Sequence, residues 1–315
     1  AFAGPFDASY AGSVNHGQAG FWAAFVGAAI LAMSNPVSFG AFLGDWSRYI
    51  PRATPKTRIM LAVIAAQGAT LIPFLFGLCT ATLVATQAPD YIAANNYVGG
   101  LLAVAPSWFF LPVCLIAVIG GMSTGTTALY GTGLDMSSVF PRLLSRAGAT
   151  LLIGVLAIGF IFIGRFTFNL VQSVSTFAVL IITCTSPWMV IMILGLITRR
   201  GFYHADDLQV FTRGQRGGHY WFLHGWNWRG MGAWLPSAAV GLCFVNLPGQ
   251  FVGPLGDLAG GIDLSLPVTL GLAGVLYLVL LNLFPEPAGV YGPRGPRWVR
   301  CKSTAHTPVT TAEMA

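Results

Sequence analysis

Charge is what this sequence has least of. Of 315 residues only 8% are Asp, Glu, Lys or Arg, while 55% are hydrophobic; soluble globular chains carry charge on roughly a quarter of their residues. A water-soluble domain is thereby excluded, and an all-α polytopic membrane protein remains. Inside the long apolar runs there is no Asp, Glu, Lys or His, so the interior offers neither a proton relay nor a buried counter-ion. No HExxH or P-loop string occurs, and His16, His204, His219, His224 and His306 all fall in loops or the tail, so no enzyme is expected. The five cysteines show no CxxC spacing, and four of them (Cys79, Cys114, Cys184 and Cys243) lie in apolar runs with Cys301 in a polar tail. That pattern indicates neither a disulfide framework nor a metal site, and no cofactor is called for. A net charge of +6 is scattered through short loops and forms no continuous basic face, which excludes a nucleic-acid partner.

What is present is a series of seven apolar runs. Residues 1–20 lack the basic region and cleavage pattern of a signal peptide and read as an extracytoplasmic loop. Five spans follow at about 21–43, 59–85, 100–131, 147–164 and 171–197. A polar, arginine-rich segment, 199–230, separates them from two more at about 231–251 and 264–284, and 285–315 reads as a disordered tail. Taking the loop after the first span as cytoplasmic, the sixteen Lys and Arg sort as four, two, five and four on the inside, with only Arg165 outside. The positive-inside rule thus places the N-terminus outside, the C-terminus in the cytoplasm, and the chain in a cell membrane, inner or plasma. An odd span count behind a leader without Lys or Arg suggests a chain that continues further at its front.

The first span, Phe21 to Leu43, is long enough to cross a core of roughly 30 Å. In its middle Ser34-Asn35-Pro36 removes one backbone donor and disfavours helix at Asn35, which predicts a broken helix. Interior polarity is neutral and gathers in three places: Ser34, Asn35 and Ser38 at that break; Gly120 to Thr127, GGMSTGTT, in the third span; and Thr183 to Pro187 in the fifth. Each admits two readings. The breaks are cavity-lining backbone or proline kinks repaired by a neighbouring serine; the small-residue stretch is a helix-packing face or a source of hydroxyl oxygens for a hard cation. The aromatic run His219-Tyr220-Trp221-Phe222, with Trp226 and Trp228, reads as an interfacial belt, and Asp206 and Asp207 as solvated or paired with nearby arginines.

Two strings carry a resemblance. Asn35-Pro36-Val37-Ser38-Phe39 with Asp45-Trp46-Ser47-Arg48-Tyr49-Ile50-Pro51, and Ser123-Thr124-Gly125-Thr126-Thr127-Ala128-Leu129-Tyr130-Gly131-Thr132-Gly133-Leu134-Asp135, are similar to the nucleobase cation symporter family, in its purine and cytosine permease branch. Arg199-Arg200-Gly201-Phe202-Tyr203, Gly225-Trp226-Asn227-Trp228-Arg229-Gly230 and Gly260-Gly261-Ile262-Asp263 resemble it too. The resemblance implies a transporter of the LeuT type, with two five-helix inverted repeats around a midplane site. Residues 21–198 would be the second repeat, 231–284 two additional helices, and the seven spans helices six to twelve, with the preceding N-terminal helices as missing partners. It further implies Asn35, Ser38, Phe39 and Thr127 for substrate, and Gly120, Ser123 and Thr124 for a coupling ion, Na+ or H+. A proton acceptor would have to lie outside this half. Members of the family place asparagines just after the hydroxyl pair, where this chain has Thr126, Thr127, Ala128 and Leu129, so the substrate is a nucleobase such as cytosine or a purine, or a related nitrogen heterocycle. The implied function is cation-coupled import by alternating access. A non-transporting seven-span receptor or assembly protein is the alternative.

Overall fold

The computed structural model describes residues 18–40, 43–47, 49–51, 53–94, 96–140, 143–167, 170–210, 213, 215–302 and 310–311. They are overwhelmingly helical and fall into two compact units, Gly44–Gly131 and a second made of His16–Leu43 with Thr132–Ala315. The helices in chain order are α1 (Gln18–Gly40), α2 (Leu43–Ser47), α3 (Lys56–Gln87), α4 (Pro89–Ala93), α5 (Tyr97–Val104), α6 (Phe110–Val139), α7 (Arg146–Thr167), α8 (Leu170–Thr198), α9 (Ala205–Leu208), α10 (Trp228–Cys243) and α11 (Ser265–Leu283). Among the described residues six helical stretches are long and apolar enough to cross a membrane, which makes the chain an all-α polytopic membrane protein.

In the first unit α3 is apolar all round, as a helix surrounded by lipid or protein must be. Leu61, Ile64, Leu71, Ile72, Leu75 and Leu78 are all exposed. Only its last turns are covered: Thr80, Leu83 and Val84 pack against α5, where the Thr80 and Tyr97 hydroxyls lie 2.5 Å apart. Asn96 caps α5 by accepting from the Gly99 N–H at 3.0 Å. The expected third span, 100–131, is displaced and divided. Pro106 forces Ala105 into extended backbone, ψ 151°, which ends α5; a short 3-10 turn, Ser107–Phe109, then leads into α6, so the spanning stretch runs Ser107–Val139.

In the second unit α8 is the central element. On one side α1 packs against it through Ile30, Val37 and Ile182, joined by Leu266 of α11. On another, α8, α10 and α11 enclose Ile191, Ala233, Tyr277 and Leu281. Gly241 marks the closest approach: a Cβ there would run into the Thr269 methyl and come within 3.0 Å of the Thr183 methyl. Both threonines are β-branched and stiff at χ1. Gly241→Ala is therefore expected to lower stability by about 1–3 kcal/mol, read as a fall in melting midpoint of the detergent-solubilised protein.

The expected sixth span, 231–251, is shorter than the apolar run that suggested it. α10 has 16 residues, about 24 Å at 1.5 Å per residue, and ends where Asn246–Leu247 and Phe251–Val252 pair as a hairpin. Asp263 fixes that turn: one carboxylate oxygen accepts from the Asn246 N–H at 3.0 Å and the other from the Ser265 N–H at 2.7 Å at the start of α11. The expected disordered tail also differs. Residues 285–302 fold back on the unit, with Val290, Tyr291 and Val299 in its core and Glu286 fully buried.

Candidate functional site

The stretch predicted to break the first span stays helical. α1 runs through Ser34, Asn35 and Pro36 to Gly40, and Ser34 Oγ donates to the Leu31 carbonyl at 2.6 Å. α1 is described to Gly40 and α2 from Leu43; residues 41–42 lie outside the described ones. Ser38 and Phe39 are half-buried beside Val37. The side chain of Asn35 lies outside what is described. Gly40 sits against Met189, two residues beyond Pro187 of α8, so the end of α1 and the middle of α8 are close-packed.

The ion-site candidates lie on α6 in the other unit. Ser123 and Thr124 are exposed and Thr127 half-buried; Thr127 Oγ1 donates to the Ser123 carbonyl at 2.9 Å and Thr126 Oγ1 to the Met122 carbonyl at 2.7 Å. Around Gly120, Gly121 and Gly125 a Cβ would meet nothing within 4 Å. Gly121-Met122-Ser123-Thr124-Gly125 also spells a G-x-S-x-G string, but it lies inside a 30-residue helix rather than on the strand-to-helix elbow that would project a nucleophile. The substrate candidates are thus divided: Asn35, Ser38 and Phe39 on α1 belong to the second unit, whereas Thr127 lies on α6 in the first, with the ion candidates Gly120, Ser123 and Thr124. Within the first unit the two resemblance strings do meet: the Tyr49 and Tyr130 hydroxyls are 3.0 Å apart.

The third neutral polar place, Thr183 to Pro187, is a packing node. Ser186 Oγ donates to the Ile182 carbonyl, and Trp234 Nε1 of α10 donates to the Cys184 carbonyl at 2.7 Å.

Sequence reading missed a polar cluster where α8 and α11 end. Arg199 and Glu286, 6% and 0% exposed, form an ion pair in which one guanidinium nitrogen reaches both carboxylate oxygens, at 2.9 and 3.1 Å. Arg199 also donates to the Tyr203 hydroxyl at 3.3 Å and lies 5.9 Å from the Tyr220 ring. Burial alone would favour loss of its proton, but Glu286 outweighs it and the guanidinium is held more firmly charged than usual. Burial, then the Glu286 carboxylate, keeps the Tyr291 phenol neutral far above its ordinary range. The signal was available: an arginine closing one apolar run and a glutamate closing another.

The aromatic run folds onto this cluster instead of forming a belt. Tyr220 and Phe222 pack on the core, and the Tyr220 hydroxyl accepts from the His204 N–H at 3.0 Å. His204 and His219 stack at 4.0 Å. Asp207, expected to be solvated or paired with an arginine, accepts instead from the His219 N–H at 2.8 Å and from its ring Nδ1. Burial would raise the Asp207 carboxyl, but the His219 hydrogen bonds and charge hold it below its usual value. A depressed carboxylate contributes stability above its unfolded value of about 3.9 and loses it as pH falls through the folded one. Hydrogen-exchange protection of 204–210 and 215–220 should therefore hold down to about pH 4 and decline below it.

Comparison with known proteins shows the family of the chain. A family model for permeases of cytosine and purines, uracil, thiamine and allantoin matches residues 4–268. YxlA of Bacillus subtilis (strain 168), provisionally named a purine-cytosine permease, is 23% identical over 252 residues, 78% of this chain and 52% of that protein. The chain therefore spans about half the length of the curated relative it matches. No solved structure matches it.

Proposed function

The chain belongs to the family of permeases for cytosine and purines, uracil, thiamine and allantoin, and from that membership we propose that the protein carrying it is a secondary transporter. It imports a nucleobase such as cytosine or a purine, or a related nitrogen heterocycle, by alternating access, coupled to a gradient of Na+ or H+. The single observation that carries this reading is the family match, which covers both the α1 string and the hydroxyl-rich string of α6. The apolar runs, which hold no charged residue, support it as well: a neutral planar solute is met by neutral hydrogen-bonding groups, not by ion pairs.

In this reading the chain supplies the second of two inverted five-helix repeats, with 231–284 as additional helices. Asn35, Ser38, Phe39 and Thr127 face the heterocycle, and Gly120, Ser123 and Thr124 the cation. The protein resides in the cell membrane with residues 199–230 and the C-terminus in the cytoplasm. Consistent with a shared side for those two segments, Arg229 at the start of α10 donates to the Phe284 and Pro285 carbonyls just past α11.

The test is uptake of labelled cytosine, hypoxanthine, uracil, thiamine and allantoin by cells expressing the full-length protein. Saturable accumulation of one of them, abolished by an ionophore, is the expected result; no accumulation of any would overturn the reading. On the transported solute, Asn35→Ala should raise KM about tenfold, the cost of roughly one hydrogen bond to a buried polar solute. An unchanged KM would leave Asn35 a helix residue only.

A further inference from the structure

The turn that follows α8 and the turn that follows α11 meet around a cavity of about 140 Å³, lined by Arg199, Arg200, Phe202, Tyr291 and Arg294 among others. It is built rather than incidental. Gly292 has φ +67°, and a Cβ there would collide with the Phe202 ring, so this glycine lets the second turn close onto the first. The Arg297 N–H donates to the Thr198 carbonyl at 2.9 Å, which ties the same two segments together.

The charge in the cavity is unbalanced. Glu286 offsets Arg199, while Arg200 and Arg294 are in no ion pair among the described residues, so two positive charges remain. Arg199 keeps a buried Nε–H without a hydrogen-bond partner, although buried donors are rarely left so. The backbone of Arg200 is itself unusual. Gly201 N–H donates to the Leu196 carbonyl and Arg200 N–H to the Ile197 carbonyl, the hydrogen-bond pattern of a Schellman motif with Arg200 at its left-handed position. Its φ is +53°, where glycine is the usual occupant and an arginine is held at a steric cost. The C-terminal dipole of α8 would oppose an anion, but the carbonyls of Leu196, Ile197 and Thr198 already accept from Gly201, Arg200 and Arg297.

We propose that these two turns form a site for a phosphoryl oxyanion, with Arg200 and Arg294 supplying the charge and the Arg199 Nε–H a buried donor. Arginine forks match phosphate oxygens in geometry as well as charge. The volume lies below the roughly 300–1,000 Å³ of sites for drug-sized ligands, so the cavity takes a headgroup and not a heterocycle; it shares no residue with the candidate substrate or ion sets. Because α8 is long enough to cross a membrane up to Thr198, the turn beyond it emerges at the lipid surface. The phosphodiester of an anionic lipid is one source of the group, and free phosphate the other.

The test is native mass spectrometry of the full-length protein in detergent with equal phosphatidylglycerol and phosphatidylcholine, paired with melting curves in inorganic phosphate or chloride. The wild type should retain phosphatidylglycerol preferentially. Arg200→Gly and Arg294→Gln should each cut that preference about five- to tenfold. Arg300→Gln, which removes an exposed charge outside the cavity, should leave it intact. Arg200→Gly should also melt no lower than wild type, since glycine suits that backbone, so lost binding will not reflect lost fold. Stabilisation by inorganic phosphate in the wild type and not in Arg200→Gly, with no lipid preference, would assign the site to free phosphate. An equal loss in Arg300→Gln, or no difference between wild type and the two cavity variants with either probe, would overturn the proposal.

Discussion

Glu286→Gln is expected to destabilise the second unit by about 3–5 kcal/mol, the cost of leaving a buried guanidinium without its counter-charge. Arg199 is the first residue after α8 and Glu286 lies three residues after α11, so their pair joins the ends of two long helices across 87 positions of sequence. The Tyr203 hydroxyl still accepts from the arginine, but nothing else described forms an ion pair with it. The measurement is the melting midpoint of the purified protein, with a double-substitution cycle to separate the pair from its surroundings. Arg199→Met with Glu286→Leu should recover most of the loss, because a buried ion pair exchanged for apolar groups of similar volume is often neutral or better. A single Glu286→Gln that melts like the wild type would mean that solvent reaches Arg199 and that the pair is a surface contact worth at most about 1 kcal/mol.

That pair also shows what the sequence could and could not convey. The spans themselves were legible, because a run of about twenty residues without charge has few outcomes other than a membrane helix. Their interruptions were less so. Pro36 was expected to break α1, which instead runs through it to Gly40; Pro106 does end α5, because Ala105 before it becomes extended. Proline is carried inside the long apolar helices, Pro73 in α3 and Pro187 in α8 as well as Pro36 in α1, whereas Pro106 follows a helix of only eight residues. α10 was overextended because Phe244, Val245 and Leu247 are as apolar as a span but belong to a turn pinned by Asp263. Residues 285–302 were misread as a tail because proline, glycine and arginine signal disorder only when nothing buries them, and here Glu286 is paired with a residue 87 positions away and Tyr291 lies in the core.

Alanine at both Ser123 and Thr124 is expected to abolish most of the stimulation of uptake by sodium while leaving the folded protein intact. Both side chains are exposed on α6, and the neighbouring Thr126 and Thr127 hydroxyls are turned back onto the Met122 and Ser123 carbonyls. A hard monovalent cation is held by several neutral oxygens, each contributing modestly, so removal of two should cost about 1.5–3 kcal/mol each if their bonds compare with other charge-assisted ones. Together that is a hundredfold or greater loss of apparent sodium affinity. The same double substitution should change melting in sodium-free buffer little, because exposed hydroxyls away from caps and buried networks contribute within about 0.5 kcal/mol. A ligand that binds only the folded state raises stability by RT ln(1 + [L]/Kd), so sodium should raise the wild-type melting midpoint and fail to raise that of the variant. Sodium dependence unchanged in both uptake and melting would remove these hydroxyls from the ion site. Uptake driven by a proton gradient with no sodium effect in the wild type would move the coupling to a carboxylate; among the described spanning stretches only that of α6 holds one, Asp135, near its end.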